Sequence, residues 1–208
     1  MDYDGEMISS MKSPQQVHAF WFGDLGDGTC LPSHSAMWFR KSDEADAKIR
    51  EAFSSTLLSV ETTPSQEWTR DVRSQAALIV LLDQFPRNIF RNQERAFAFD
   101  RSALRTATAL VDSGQDRSLF AVERCFVCLP FQHAEDLGVQ EHSVHLYQQL
   151  LSEGPESLQN YLSQNLRFAK RHHEIIARFG RFPHRNAILK RTSTPEELAF
   201  LAEPNSSF

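Results

Sequence analysis

Ala76-Ala77-Leu78-Ile79-Val80-Leu81-Leu82 is the stretch that decides the fold, because it is apolar on every side of a helix rather than on one. A helix with no polar face belongs at the centre of its domain. Upstream, Trp68, Val72, Ala76 and Ile79 recur at helical spacing and set its core stripe. The helix is predicted to start near Glu67, after a break at Thr63-Pro64-Ser65. It is predicted to end by Phe85, since Pro86 disfavours helix in the residue before it.

Outward from this centre the chain reads as more helices. Ser13-Pro14-Gln15-Gln16 is a capping box with Pro at the first helical position, and Gly23 stops the segment it opens. Ser42 precedes an acidic first turn, with Ile49, Phe53 and Leu57 following at helical spacing. Further helices are predicted over Asp100 to Val111, Ser118 to Leu129 (stopped by Pro130), Glu135 to Leu151 and Pro155 to Phe179. Gly180 is placed to cap the last of these, and Thr194-Pro195-Glu196-Glu197 opens a short final helix. Period-two alternation and hairpin signals are missing. The expectation is one all-α domain over residues 1–208, built of antiparallel helices joined by short turns.

Composition narrows the function. A chain of 208 residues with 41% hydrophobic residues suits one ordinary core. A formal net charge of −5 argues against general nucleic-acid binding, so any anion site must come from local clustering of Arg. Ala76 to Leu82 falls far short of the roughly 20 apolar residues needed to span a membrane. The acidic start (Met1, Asp2, Tyr3, Asp4) lacks the plan of a signal peptide, and three cysteines make no disulfide framework. A cytoplasmic protein with no membrane or nucleic-acid partner is expected.

One internal echo stands out. Asp83-Gln84-Phe85-Pro86-Arg87-Asn88, followed by Arg91, is matched by Arg178-Phe179-Gly180-Arg181-Phe182-Pro183-His184-Arg185-Asn186. Each places Phe-Pro at a helix exit with Arg and Asn close behind. Phe anchors such a turn, Pro fixes its backbone, Arg projects from it and Asn satisfies local backbone groups. Arg87, Arg91, Arg178, Arg181 and Arg185 thus put five guanidinium groups on two turns, the side chain suited to carboxylate or phosphate. The same five also read as internal braces paired with Asp83, Glu135 or Asp136, and both readings stay open.

Asp83 falls on or beside the buried stripe and needs a partner, with Arg87 or a distant Arg as candidates. His133, Glu135, Asp136 and Gln140 form a second cluster. A helix starting near His133 would put His133, Asp136 and Gln140 on one face, with His133 as a general base oriented by a carboxylate. The competing reading is a plain helix N-terminus with favourable acidic residues. His172 lies on the apolar stripe of the long helix beside Phe168, Ile175, Ile176 and Phe179, the usual setting of a hydrogen-bonded core histidine. Cys125-Phe126-Val127-Cys128 reads as buried helix, and Glu141, His142 and His145 as an exposed face rather than a metal site. Neither a cofactor nor a metal is expected, and no nucleotide loop or Gly-x-Ser-x-Gly elbow occurs.

The motifs together resemble a known family. Phe20-Trp21-Phe22-Gly23, Trp38-Phe39, Leu82 through Arg91, Pro130 through Asp136, Arg178 through Asn186 and Ser193 through Leu198 are similar to the bacterial domain-of-unknown-function family 924, over about residues 14 to 201. The resemblance implies a tetratricopeptide-like stack of antiparallel helices and assigns no activity. Two positions depart: members often carry Ser where this chain has Ala134, which removes a Ser nucleophile there, and Gly where it has Lys190.

Three functions follow. The first is an enzyme or binding protein with an Arg-lined pocket for a small anionic molecule. Asp83, His133 and Glu135 would be its acid-base groups, and Arg87, Asn88, Arg91, Gln140, His172, Arg178, Arg181, Arg185 and Asn186 its ligand contacts. The second is a tetratricopeptide-like interaction module. The third is a metal-dependent hydrolase-type site at His133, Glu135 and a distant His. Three compact turns favour one compact site over a long groove, and so the first. Trp21 and Trp38 read equally as core or as an interface between copies, which leaves a homo-oligomer open.

Overall fold

The computed structural model describes residues 11–33, 35–38, 40–60, 64–204 and 206. The acidic residues 1–4, Phe39 and Thr63 of the reading above lie outside them. The fold is all-α: every regular element among the described residues is helical. In chain order these are α1 (Pro14–Phe22), α2 (Asp43–Ser59), α3 (Gln66–Thr69), α4 (Val72–Asp83), α5 (Phe85–Ile89), α6 (Asp100–Asp112), α7 (Ala121–Gln132), α8 (Leu137–Glu153), α9 (Gln159–Phe179) and α10 (Pro195–Leu201), with short 3-10 turns between some of them.

The apolar run of α4 is central, as its all-round pattern demands. The helix packs against α1, α6 and α7, and Ala77, Ile79 and Leu81 are fully buried. Each buried Leu or Ile there contributes about 1.5–3 kcal/mol relative to exposure. The same core holds an aromatic cluster: Trp21 packs against Phe85 and Phe126, and Trp38 meets Phe126 edge-on at 4.9 Å. Trp38 Nε1 donates to the Trp21 carbonyl at 2.9 Å. Both tryptophans are therefore core.

The capping signals hold. Ser13 and Thr194 make full capping boxes, Ser42 accepts from Ala45 N, and Gly180 closes α9 in the left-handed conformation at φ 69°. Prolines and an overlooked cap account for the corrections. The helix expected from Glu67 is interrupted, because Asp71 accepts from Ser74 N at 2.8 Å and starts α4 afresh. The central helix does end before Phe85, at Asp83, and Phe85-Pro86 then opens the short α5, where the missing N–H of Pro is harmless. Pro130 does not stop α7, which runs on to Gln132: so near the helix end its missing N–H costs only the bond to the Phe126 carbonyl, and Gln140 caps that end by donating to the carbonyls of Phe131, Gln132 and Ala134. α8 starts at Leu137 with Asp136 as its cap, so His133 ends one helix and Asp136 begins the next. The single helical face imagined for His133, Asp136 and Gln140 does not exist. Phe168, expected on the apolar stripe of α9, is 53% exposed, whereas His172, Ile175 and Ile176 are buried.

Candidate functional site

Asp83, the last residue of α4, is 1% exposed and needs partners there. Its hydrogen-bond partners are His133, whose Nδ1 lies 2.8 Å from Oδ1, and Gln84, whose Nε2 donates to Oδ2 at 2.5 Å, while the expected Arg87 acts on it through charge alone. Burial pushes the Asp83 carboxyl up, but His133, Arg87 and Gln84 together hold it below the ordinary range. In the neutral ring, an ionised Asp83 makes Nδ1 of His133 the proton-bearing nitrogen and Nε2 the acceptor. Nε2 has no hydrogen-bond partner among the described residues, and the side chain is 16% exposed.

Asp100, at the start of α6, joins the two Arg turns. Arg87 Nη2 donates to its Oδ1 at 2.7 Å, and Arg185 Nη1 reaches its Oδ2 at 3.5 Å. Arg87 also donates to the Ala96 carbonyl. The Arg185 side chain is 7% exposed and lies between the rings of Phe97 and Phe182, at 4.8 and 4.5 Å from their centroids. Its Nε has no hydrogen-bond partner among the described residues. Burial, then the neighbouring Arg87 charge, draws Arg185 down to about 10 against the support of Asp100, Glu135 and Asp83. Burial, reinforced by Asp83, raises the Asp100 carboxyl despite Arg87, Arg185 and His133.

Two further histidines stand beside the cluster as neutral groups. His172 packs 6.3 Å from the His133 ring and 5.3 Å from that of Phe182, with Nδ1 at 2.8 Å from the Phe168 carbonyl. Burial first, then the nearby His133, pulls it down to about 3. Burial and Arg185 bring His184 down to about 4.

The other predicted residues are engaged elsewhere. Glu135 accepts two bonds from Arg191, at 2.6 and 2.9 Å, and one from Phe182 N at 2.8 Å. It clamps the second turn to the segment after α7. Asn186 takes part in the same lock, accepting from Arg191 Nε at 3.0 Å and donating to Ser193 and Glu197. Arg91 and Asn88 both serve Asp46 of α2. Arg178 pairs with Glu196, and Arg181 with Glu197 of α10. Gln140 donates to the carbonyls of Phe131, Gln132 and Ala134. The bracing partners foreseen for the Arg groups, Asp83, Glu135 and Asp136, give way to Asp46, Asp100, Glu196 and Glu197.

Asp100, Arg191, His184 and Phe97 are site residues that the sequence reading missed. Asp100 looked like an acidic residue at a helix start, and Arg191 lies beyond the Phe-Pro echo. The echo alone could have flagged His184, which stands between the paired Pro and Arg. Cys125 and Cys128 are buried and unbridged, with burial pushing the Cys125 thiol up to about 12. Among the described residues no group of three His, Cys, Asp or Glu side chains is arranged to hold a metal ion, and no helix is long and apolar enough to cross a membrane.

Fold and site together define an all-α protein whose central helix delivers a buried carboxylate to a histidine beside two converging arginines. The family described as "Bacterial protein of unknown function (DUF924)" matches residues 17–205, and the chain belongs to that family. A solved structure of a protein of unknown function from Agrobacterium tumefaciens is similar, at 35% identity and a TM-score of 0.73. The match covers 82% of this chain and 90% of that one. No curated protein matches the chain.

Proposed function

We propose that the protein binds a small anionic molecule at Arg87 and Arg185, with His133 as general base on the bound molecule and Asp83 orienting it. The observation that carries this reading is Arg185. A guanidinium has five N–H donors, and burying them unsatisfied is expensive. Arg185 is buried, held between two rings, repelled by Arg87, and makes one long side-chain hydrogen bond. An anion bridging Arg87 and Arg185 would relieve both the repulsion and the missing bonds. His133 Nε2 then supplies a proton acceptor on the same cluster, with its other nitrogen fixed as in general-base sites.

Access is through the partly exposed edges of His133, Arg87 and Asp100, which favours a small ligand. Two surface clefts lie elsewhere, of about 350 Å³ beside Trp68 and about 270 Å³ beside Lys170, and neither includes a residue of the cluster.

Thermal unfolding in acetate, citrate, phosphate and sulfate, each against chloride at matched ionic strength, tests the proposal. A bound anion at a hundredfold excess over its Kd should raise Tm by roughly 5–10 °C. Arg185→Gln should lose that rise while Arg105→Gln, on the exposed side of α6, keeps it. Equal responses in wild type and Arg185→Gln would refute the site.

A further inference from the structure

We propose that Asp100 is the resident occupant of this anion site, and that the ligand is a singly charged carboxylate which displaces it from between Arg87 and Arg185. The inference rests on the anion-site reading and names both its ligand class and the group that fills the site in the ligand's absence.

Geometry comes first. Asp100 presents a planar O–C–O group with one oxygen toward each guanidinium, the arrangement an incoming carboxylate would adopt. Its hold is uneven: 2.7 Å to Arg87 but 3.5 Å to Arg185, where Nε stays unpartnered and buried. Asp100 thus fills the site without satisfying it. A carboxylate free of the α6 backbone can centre itself on both arginines, which the tethered one does not. The Asp100 side chain is 23% exposed, so a path to solvent is open to it.

Charge then selects the ligand. With His133 neutral, as its role as general base requires, Asp83 and Asp100 balance Arg87 and Arg185, and His172 and His184 are neutral near pH 7. Exchanging Asp100 for a monocarboxylate keeps that balance. A phosphate dianion would leave surplus negative charge in a largely buried space beside Asp83, which is costly. The raised acidity range of Asp100, caused by burial and by Asp83, agrees with a carboxylate held less firmly than its two Arg neighbours suggest.

The test is calorimetric titration of acetate and of inorganic phosphate into wild type, Asp100→Asn and Asp100→Ser, with folding checked by circular dichroism. Removing the competitor should tighten acetate binding at least about tenfold, the worth of one charge-assisted hydrogen bond. Acetate should outcompete phosphate in wild type. Should both variants fail to fold, the side-chain carboxyl ¹³C resonance of Asp100 in wild type still reports: it should move as acetate saturates the protein. Unchanged or weaker acetate binding in folded variants, or a static Asp100 resonance in acetate-saturated wild type, overturns displacement while leaving the anion site intact. Preference for phosphate overturns the ligand class. Binding of neither anion by any of the three proteins removes the anion site and this inference with it.

Discussion

Arg185 and Lys190 both sit a few residues beyond the second Phe-Pro turn, and each departs from what its surroundings favour. For Arg185 the conflict is between burial and hydrogen bonding, and a ligand would resolve it. For Lys190 it is in the backbone: φ is 53°, the left-handed region where a side chain is strained and glycine is not. The family resemblance places Gly at this position, and the geometry supplies the reason. Lys190 Nζ meets Glu94 at 2.8 Å, but both side chains are well exposed and the pair contributes little. Lys190→Gly should therefore raise Tm by about 2 °C, measured by calorimetry; a fall would mean that the Glu94 contact outweighs the strain. At this scale the sequence showed that Asp83 needed a partner but not which one, since His133 stands 50 positions away.

Helix ends, more than helix bodies, build the cluster. α4 ends at Asp83, His133 is the C-terminal cap of α7, and α6 starts at Asp100. Hydrophobic spacing and caps identify helices, so α1 and α6, the start of α2 and the end of α9 were legible within a residue or two. Prolines were harder to read. Pro86 begins a helix, where its missing N–H has no bond to lose, and Pro130 sits inside one near its end, where it costs a single bond to the Phe126 carbonyl. Gln140 caps the end of α7 by donating to the carbonyls of Phe131, Gln132 and Ala134. It is fully buried, so truncation leaves those carbonyls without a donor. Gln140→Ala should cost about 1–3 kcal/mol in urea unfolding. A loss below a few tenths would show that water replaces the amide. Because this cap adjoins His133, the same variant should also loosen the histidine.

Across the whole molecule, fold and site differ in how far apart their determinants lie. The all-α class was readable because a helix is specified within about twenty residues, and the apolar run of α4 names its own place at the centre. The cluster joins groups separated by 13, 50 and 85 positions in the chain. Local pattern supplied its ingredients, two Arg turns and the segment from His133 to Asp136, but not its pairings. Of the five guanidiniums, Arg91, Arg178 and Arg181 brace neighbouring helices, and only Arg87 and Arg185 converge on Asp100. Glu135 and Arg191 hold the second turn in place, so the site depends on the packing of α4, α6 and α7 with the segment after α9. The most direct measurement is the side-chain ¹⁵Nε–¹Hε resonance of Arg185, assigned by its loss in Arg185→Lys and followed as acetate is added to the wild-type protein. If the cluster is an anion site, that resonance moves in a saturable way as Nε gains a partner, while those of Arg91 and Arg181 stay fixed. A resonance unchanged up to molar acetate, or one moving in step with every other arginine, would contradict it.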